Sequence, residues 1–289
     1  MADRTQYLLA LVQRSVRPYI ANPKTKAVMV SGSVAEGRCD EYSDCDVMLY
    51  YDELPTEAEL EQARQQNQGA ELIELLGDRQ SGAVGETFRL NGVECQFAHT
   101  AIAQWEAEIA SVLEKFEIQP GIMKMLHGTL IGIPLYGEAL IHQWKANIAK
   151  YPDPLAQAVV EHHLIFFALW GMQPKLARRD ATLWYHQILI ESAQNILGVL
   201  AGLNRLYFST FQFKRMGTLI EQMEIAPQNL ALRLEGLFHQ EASTAALHLK
   251  ALVQETIAVV ETHMPQVNTA FAKRQLGWRQ QPWQIPSAD

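Results

Sequence analysis

The chain has 289 residues, 48% of them hydrophobic and 19% charged, with a formal net charge of −8. That composition is globular and long enough for two modest domains, and its acidity argues against a protein that grips a nucleic-acid backbone through a basic stripe. No apolar run reaches the length of a membrane-spanning helix, the N-terminus lacks a signal-peptide pattern, and Cys39, Cys45 and Cys95 form no C-x-x-C pair, so the expectation is a cytoplasmic protein with reduced thiols.

In chain order, residues 4–20 place Leu8, Leu11, Val12 and Val16 at helical spacing and predict an amphipathic helix. The apolar run Ala27–Val30 predicts a strand leading into the turn Gly32-Ser33. Gly32 lets the backbone approach a ligand closely. Ser33 offers a hydroxyl and a backbone N–H, and the residues after it are placed to open a short helix, whose N-terminus favours an anion. Ten residues, Val34 to Ser43, separate Ser33 from Asp44, and a second strand covers Cys45–Tyr51. Side chains alternate across a strand, so Asp44 and Asp46 point one way while Cys45 and Val47 point the other. Two carboxylates on one side of a strand edge repel each other unless a cation sits between them. Magnesium is the natural cation, being hard, oxygen-seeking and usually shared with substrate phosphates.

Pro55-Thr56 opens a helix to about Gln66, with Thr56 as its cap. Glu71–Leu76 reads equally as strand or helix. Asn91-Gly92 lies between two alternating segments and predicts a hairpin, because both residues tolerate positive φ. On its second strand Val93, Cys95 and Phe97 share a core face, while Glu94 and Gln96 share the exposed one. A helix at about Ala101–Phe116 comes next. Leu130–Tyr136 predicts one more strand, which Pro134 keeps from the centre of a sheet.

The second half changes character at Tyr151-Pro-Asp-Pro154. Apolar positions repeat at three and four over 154–171, 181–201, 203–223, 227–238, 240–262 and 264–275, the pattern of an up-and-down helical bundle. The Gln- and Pro-rich tail from Trp278 to Asp289 predicts a loose terminus. The expected domains are 1–145 and 146–289. His162 and His163 are adjacent, so on a helix they point about 100° apart and are ill placed to share a metal. His99 and His127 read as structural, and Trp170, Trp184, Tyr185 and Phe208 as core.

Gly32-Ser33, the ten-residue gap and Asp44-Cys45-Asp46-Val47 together resemble the signature of the nucleotidyltransferase superfamily related to DNA polymerase beta. The stretch GSVAEGRCDEYSDCDV is similar in detail to the antibiotic nucleotidyltransferases that adenylylate lincosamides and aminoglycosides, with Gly37, Ser43 and Asp44 at matching places. The resemblance covers roughly residues 25–100; beyond that only the helical layout is shared. Ser31 before Gly32 and Cys45 between the aspartates depart from the pattern without removing a ligand.

The resemblance implies an α+β fold, with an N-terminal polymerase-beta-like mixed sheet flanked by helices and a C-terminal all-α bundle. It implies that Asp44 and Asp46 hold one or two Mg²⁺ ions and that ATP or another NTP is co-substrate, its phosphates against Gly32 and Ser33. The family's third carboxylate is assigned to Glu94, as second-metal ligand or proton acceptor; Glu86 is the rival. Arg38 and Lys214 are candidates for the triphosphate, each against the plainer reading of a solvated surface cation. Glu36 and Asp40 are candidates for an acidic rim facing a cationic acceptor. The implied reaction transfers AMP or another nucleoside monophosphate to a hydroxyl of a small molecule such as an aminoglycoside or lincosamide. Transfer to tRNA or protein and a non-catalytic nucleotide-sensing module are the alternatives. The similar antibiotic enzymes suggest a homodimer, which nothing in the residues demonstrates.

Overall fold

The computed structural model describes residues 3–67 and 70–284; the end of the expected loose tail, from Ile285, lies outside them. The chain divides into two compact units. One comprises Met1–Glu117 and Met125–Lys150, the other Ile118–Lys124 and Tyr151–Asp289. The fold class is α+β: a mixed sheet with flanking helices, then a helical region.

Up to Lys150 the chain runs α1 (Arg4–Ser15), α2 (Arg17–Ile20), β1 (Thr25–Val30), α3 (Gly32–Glu36), β2 (Cys45–Tyr51), α4 (Glu57–Gln66), β3 (Glu71–Asp78), β4 (Ala83–Leu90), β5 (Val93–Ala101), α5 (Ile102–Leu113), α6 (Pro120–Ile131), β6 (Ile133–Tyr136) and α7 (Glu138–Ile148), all in the first unit except residues 120–124 of α6. The single helix expected over 4–20 is two. It breaks after Ser15, and Pro18 sits in the first turn of α2, where its missing N–H costs nothing. Thr56 caps α4 as expected, in a reciprocal capping box with Glu59. The ambiguous segment after Glu71 is a strand. The hairpin turn at Asn91-Gly92 has both residues at positive φ, 54° and 83°. Helices α6 and α7 were not anticipated.

The six strands lie in the order β3-β4-β5-β2-β1-β6. All neighbours are antiparallel except β2 and β5, which run parallel with Cys45 opposite Cys95 and Asp46 opposite Gln96. β6, which carries Pro134, is an edge strand, consistent with a residue that cannot donate to a ladder.

Each face of the sheet has its own packing. On one face Leu8, Leu11 and Val12 of α1, Tyr19 of α2 and Leu60 of α4 cover Val28, Val47, Leu49, Phe88 and Phe97. On the other, Tyr50 meets Trp144 of α7 edge-on at 4.7 Å and Trp105 of α5 at 6.0 Å. Asp46 and Tyr50 alternate with Val47 and Tyr51, so the two aspartates belong to this second face, at the end of it where β2 begins.

The second unit contains α8 (Asp153–His163), α9 (Leu169–Leu176), α10 (Thr182–Leu203), α11 (Met216–Glu221), α12 (Leu230–Gly236), α13 (Ala242–His263) and α14 (Ala270–Gly277). The long helices α10 and α13 match the expected spans closely. The helix expected over 154–171 is interrupted between His163 and Leu169. The one expected over 203–223 does not form. Arg205 adopts a left-handed φ of 54°, which ends α10, and Asn204 Nδ2 holds the carbonyls of Leu200 and Ile225. A 3₁₀ segment, Thr210–Arg215, and the short α11 take the place of that helix. Likewise α12 starts only at Leu230, after Asn229 at φ 55°.

Candidate functional site

Three strand ends meet at one edge of the first unit's sheet. Because β2 and β5 are parallel, their N-terminal ends lie side by side. Because β1 is antiparallel to β2, its C-terminal end reaches the same place, with Val30 opposite Val47. Asp44 and Asp46 come from the first of these ends, Glu94 and Gln96 from the second, and Gly32 and Ser33 come directly after the third. Ser31 N–H donates to the Asp46 carbonyl at 2.9 Å and ties the turn to the strand.

The carboxylates are linked by an amide. Gln96 Nε2 donates to Glu94 Oε1 at 3.0 Å and to Asp44 Oδ2 at 3.3 Å. Asp44, Asp46 and Glu94 are each half-buried. Gly32 has φ +60°, and a β-carbon built on it would lie 2.1 Å from Asp46 Oδ2. The turn therefore needs glycine twice over, for its backbone and for the space the aspartate occupies. Among the described residues no three His, Cys, Asp or Glu side chains are close enough together to hold a metal ion as they stand.

The loop between Ser33 and Asp44 is braced from within. Asp40 Oδ1 accepts from Tyr42 N–H (2.9 Å) and Ser43 Oγ (3.1 Å), and Ser43 Oγ accepts from Asp40 N–H (2.9 Å). Asp40 thus shapes the approach to Asp44, a role beyond the acidic rim expected of it. Glu36 and Arg38 are exposed beside the turn. Ser33 Oγ has the Cys39 thiol at 3.8 Å. His127 of α6 lies near Glu36; burial holds its pKa below the usual histidine value, against the pull of that carboxylate. Lys214 is exposed in the 3₁₀ segment of the second unit.

Glu86 is set apart from Glu94 by the hairpin register. It pairs with Phe97 and so points to the opposite face, where it is fully buried. There it accepts from Tyr19 Oη at 3.0 Å, pairs with Arg64 and lies 3.2 Å from His99 Nε2, whose Nδ1 is 2.8 Å from Tyr51 Oη. Burial and the Glu86 charge push the Tyr19 hydroxyl far above its ordinary range. This is a closed structural network. Cys45 and Cys95 also point to that face; each is buried, and the Cys95 thiol together with burial keeps the Cys45 thiol protonated.

Sequence reasoning missed Thr87 and Arg89. They stand opposite Gln96 and Glu94 on the site's side of the sheet, and Arg89 is exposed. The two-residue turn at Asn91-Gly92 fixes that register, so the signal was present in the sequence.

No known family model matches the chain, and no curated protein does. Among solved structures it is similar to a nucleotidyltransferase-like protein from Exiguobacterium sibiricum 255-15, with a TM-score of 0.31 and 9% identity over 88% of this chain and 78% of that one. A likeness of that size does not bear on activity.

Proposed function

We propose that the chain transfers a nucleoside monophosphate from a nucleoside triphosphate, ATP in the first instance, to a hydroxyl of a small-molecule acceptor and releases pyrophosphate. The observation that supports this is that Asp44 and Glu94 share the Gln96 amide, while Asp46 abuts a glycine turn that leaves no room for a side chain. The donor set is entirely carboxylate oxygen, which suits a hard divalent ion such as Mg²⁺. The amide shared by Asp44 and Glu94 marks the space between them as one that favours positive charge.

Asp44 and Asp46 would hold the metal, with a second ion if Glu94 joins them. The ion that these residues would hold would supply charge neutralisation for the triphosphate during displacement at the α-phosphorus. The rest falls to the chain's own groups. Gly32 admits the phosphates close to the backbone, and the Ser33 hydroxyl donates to a phosphate oxygen. Arg38 and Arg89 are the candidate cations for the departing pyrophosphate. Glu94 accepts the proton of the attacking hydroxyl as the new oxygen–phosphorus bond forms and the bond to pyrophosphate breaks. Positioning and charge neutralisation account for most of the rate in reactions of this type.

The motif's likeness to antibiotic nucleotidyltransferases makes aminoglycosides and lincosamides the first acceptors to try, and a cytoplasmic homodimer belongs to the same reading. The test is pyrophosphate release from each NTP with Mg²⁺ against those compounds, tRNA and buffer alone. Release that depends on one small-molecule acceptor supports the proposal. Release with tRNA alone, or none with any acceptor, contradicts it.

A further inference from the structure

The helical unit carries a second site, argued independently of nucleotidyl transfer. We propose that a cleft formed by residues 165–168, α10, α14 and Trp278 binds a small organic cation, with its charge at Glu191 and its aromatic or aliphatic body between Phe167, Phe271 and Trp278. The cleft measures about 380 Å³, within the range of small-molecule sites.

Its first wall is a helix that fails to form. Residues 164–168 read LIFFA, without glycine or proline, where the apolar spacing continues the helical pattern expected over 154–171. The backbone instead makes two narrow turns. Ile165 N–H donates to the His163 carbonyl and Leu169 N–H to the Phe167 carbonyl, both at 2.8 Å. Leu164 (φ −79°, ψ 43°) and Ala168 (φ −75°, ψ 67°) lie near the inverse γ-turn. As a result Leu164, Phe166 and Ala168 are buried, while Ile165 and Phe167 are turned outward, 57% and 51% exposed. Asn195 of α10 secures the arrangement. Its Nδ2 donates to the Ile165 carbonyl at 2.7 Å, and its Oδ1 lies 3.1 Å from His163 Nδ1. A segment held against its local preference, with two large apolar side chains presented to a cleft, is the pattern expected of a functional site.

The facing wall is fixed as well. Gln280 N–H donates to the Gly171 carbonyl at 3.0 Å, and Trp170 Nε1 to the Gln275 carbonyl at 3.2 Å. Gly171 is required for this, since a β-carbon there would fall 2.2 Å from the Trp278 carbonyl oxygen. Among the described residues lining the cleft, Glu191 is the one with a charge. Its Oε1 accepts from Gln187 at 2.8 Å, and Oε2 accepts no hydrogen bond from a described residue. The Arg274 guanidinium already lies over the Phe271 ring at 5.7 Å, so the aromatic faces left to a ligand cation beside Glu191 are those of Phe167 and Trp278.

The experiment is calorimetric titration of the full chain with benzyltrimethylammonium, benzyl alcohol and benzenesulfonate. Saturable binding of the cation is expected, with benzyl alcohol weaker and benzenesulfonate silent. Glu191→Gln should weaken the cation at least about fivefold and leave benzyl alcohol unchanged. Phe167→Ala, at a half-exposed position that leaves folding intact, should weaken both. Gly171→Ala, by displacing Trp278, should do the same. The proposal is overturned if the cation does not bind saturably, if Glu191→Gln binds it as tightly as the wild type, or if benzenesulfonate binds equally well.

Discussion

A methyl group on Gly32 would meet two obstacles at once, a left-handed backbone and the Asp46 carboxylate. Gly32→Ala should therefore push Asp46 aside and cut nucleotidyl transfer at least about tenfold, while costing only about 1–3 kcal/mol of stability. Paired assay and melting curves would check this; a fully active Gly32→Ala enzyme would refute it. Glu94 and Glu86 separate more sharply. Glu94→Gln should lower kcat/KM by roughly 100-fold or more and leave the melting curve nearly unchanged. Glu86→Ala should cost about 3 kcal/mol or more by leaving Arg64 without its buried partner, with activity per folded molecule maintained. The side on which Glu94 lies was legible from strand alternation and the Asn91-Gly92 turn. The bond from Gln96 to both Glu94 and Asp44 was not, because it depends on which strand lies next to β5, a pairing between residues about fifty apart in the chain.

That pairing is the decisive event among the elements. Local pattern located β2 and β5, but only the parallel register of Cys45 with Cys95 places their carboxylates at one edge. Capping chemistry was legible because it is local, and α4 shows its consequence for pH. The Thr56 backbone N–H, then Lys24, hold Glu59 down at about 2. A carboxyl whose pKa is depressed by folding contributes stability above its unfolded pKa and loses that contribution as pH falls through the folded value. The melting-temperature gap between wild type and Glu59→Gln should therefore be steady above about pH 5 and shrink toward pH 2. A gap independent of pH would contradict the capping account. Helices α6 and α7 escaped notice because Pro120, Gly121 and Gly128 break up the local pattern of the first, and the second starts directly after Gly137. The interruption at residues 164–168 escaped because Asn195, thirty residues away, holds it.

At the scale of the whole molecule, the chain divides into two compact units, and the two proposed sites fall one in each. The sheet unit is stabilised on its site-bearing face by Trp105, fully buried against Tyr50. Trp105→Ala should cost that unit about 3–5 kcal/mol, read by chemical denaturation; a loss below about 1 kcal/mol would mean the face is packed otherwise. Among the described residues no helix is long and apolar enough to cross a membrane. The central claim is that Asp44, Asp46 and Glu94 together carry magnesium-dependent nucleotidyl transfer. Its most direct test is transfer of label from α-labelled ATP to the acceptor by wild type, Asp44→Asn, Asp46→Asn and Glu94→Gln, with and without Mg²⁺. The account predicts transfer by the wild type with Mg²⁺ alone and a loss beyond about tenfold in every variant. Transfer that survives in Asp44→Asn or Asp46→Asn, or that proceeds without a divalent ion, would contradict it.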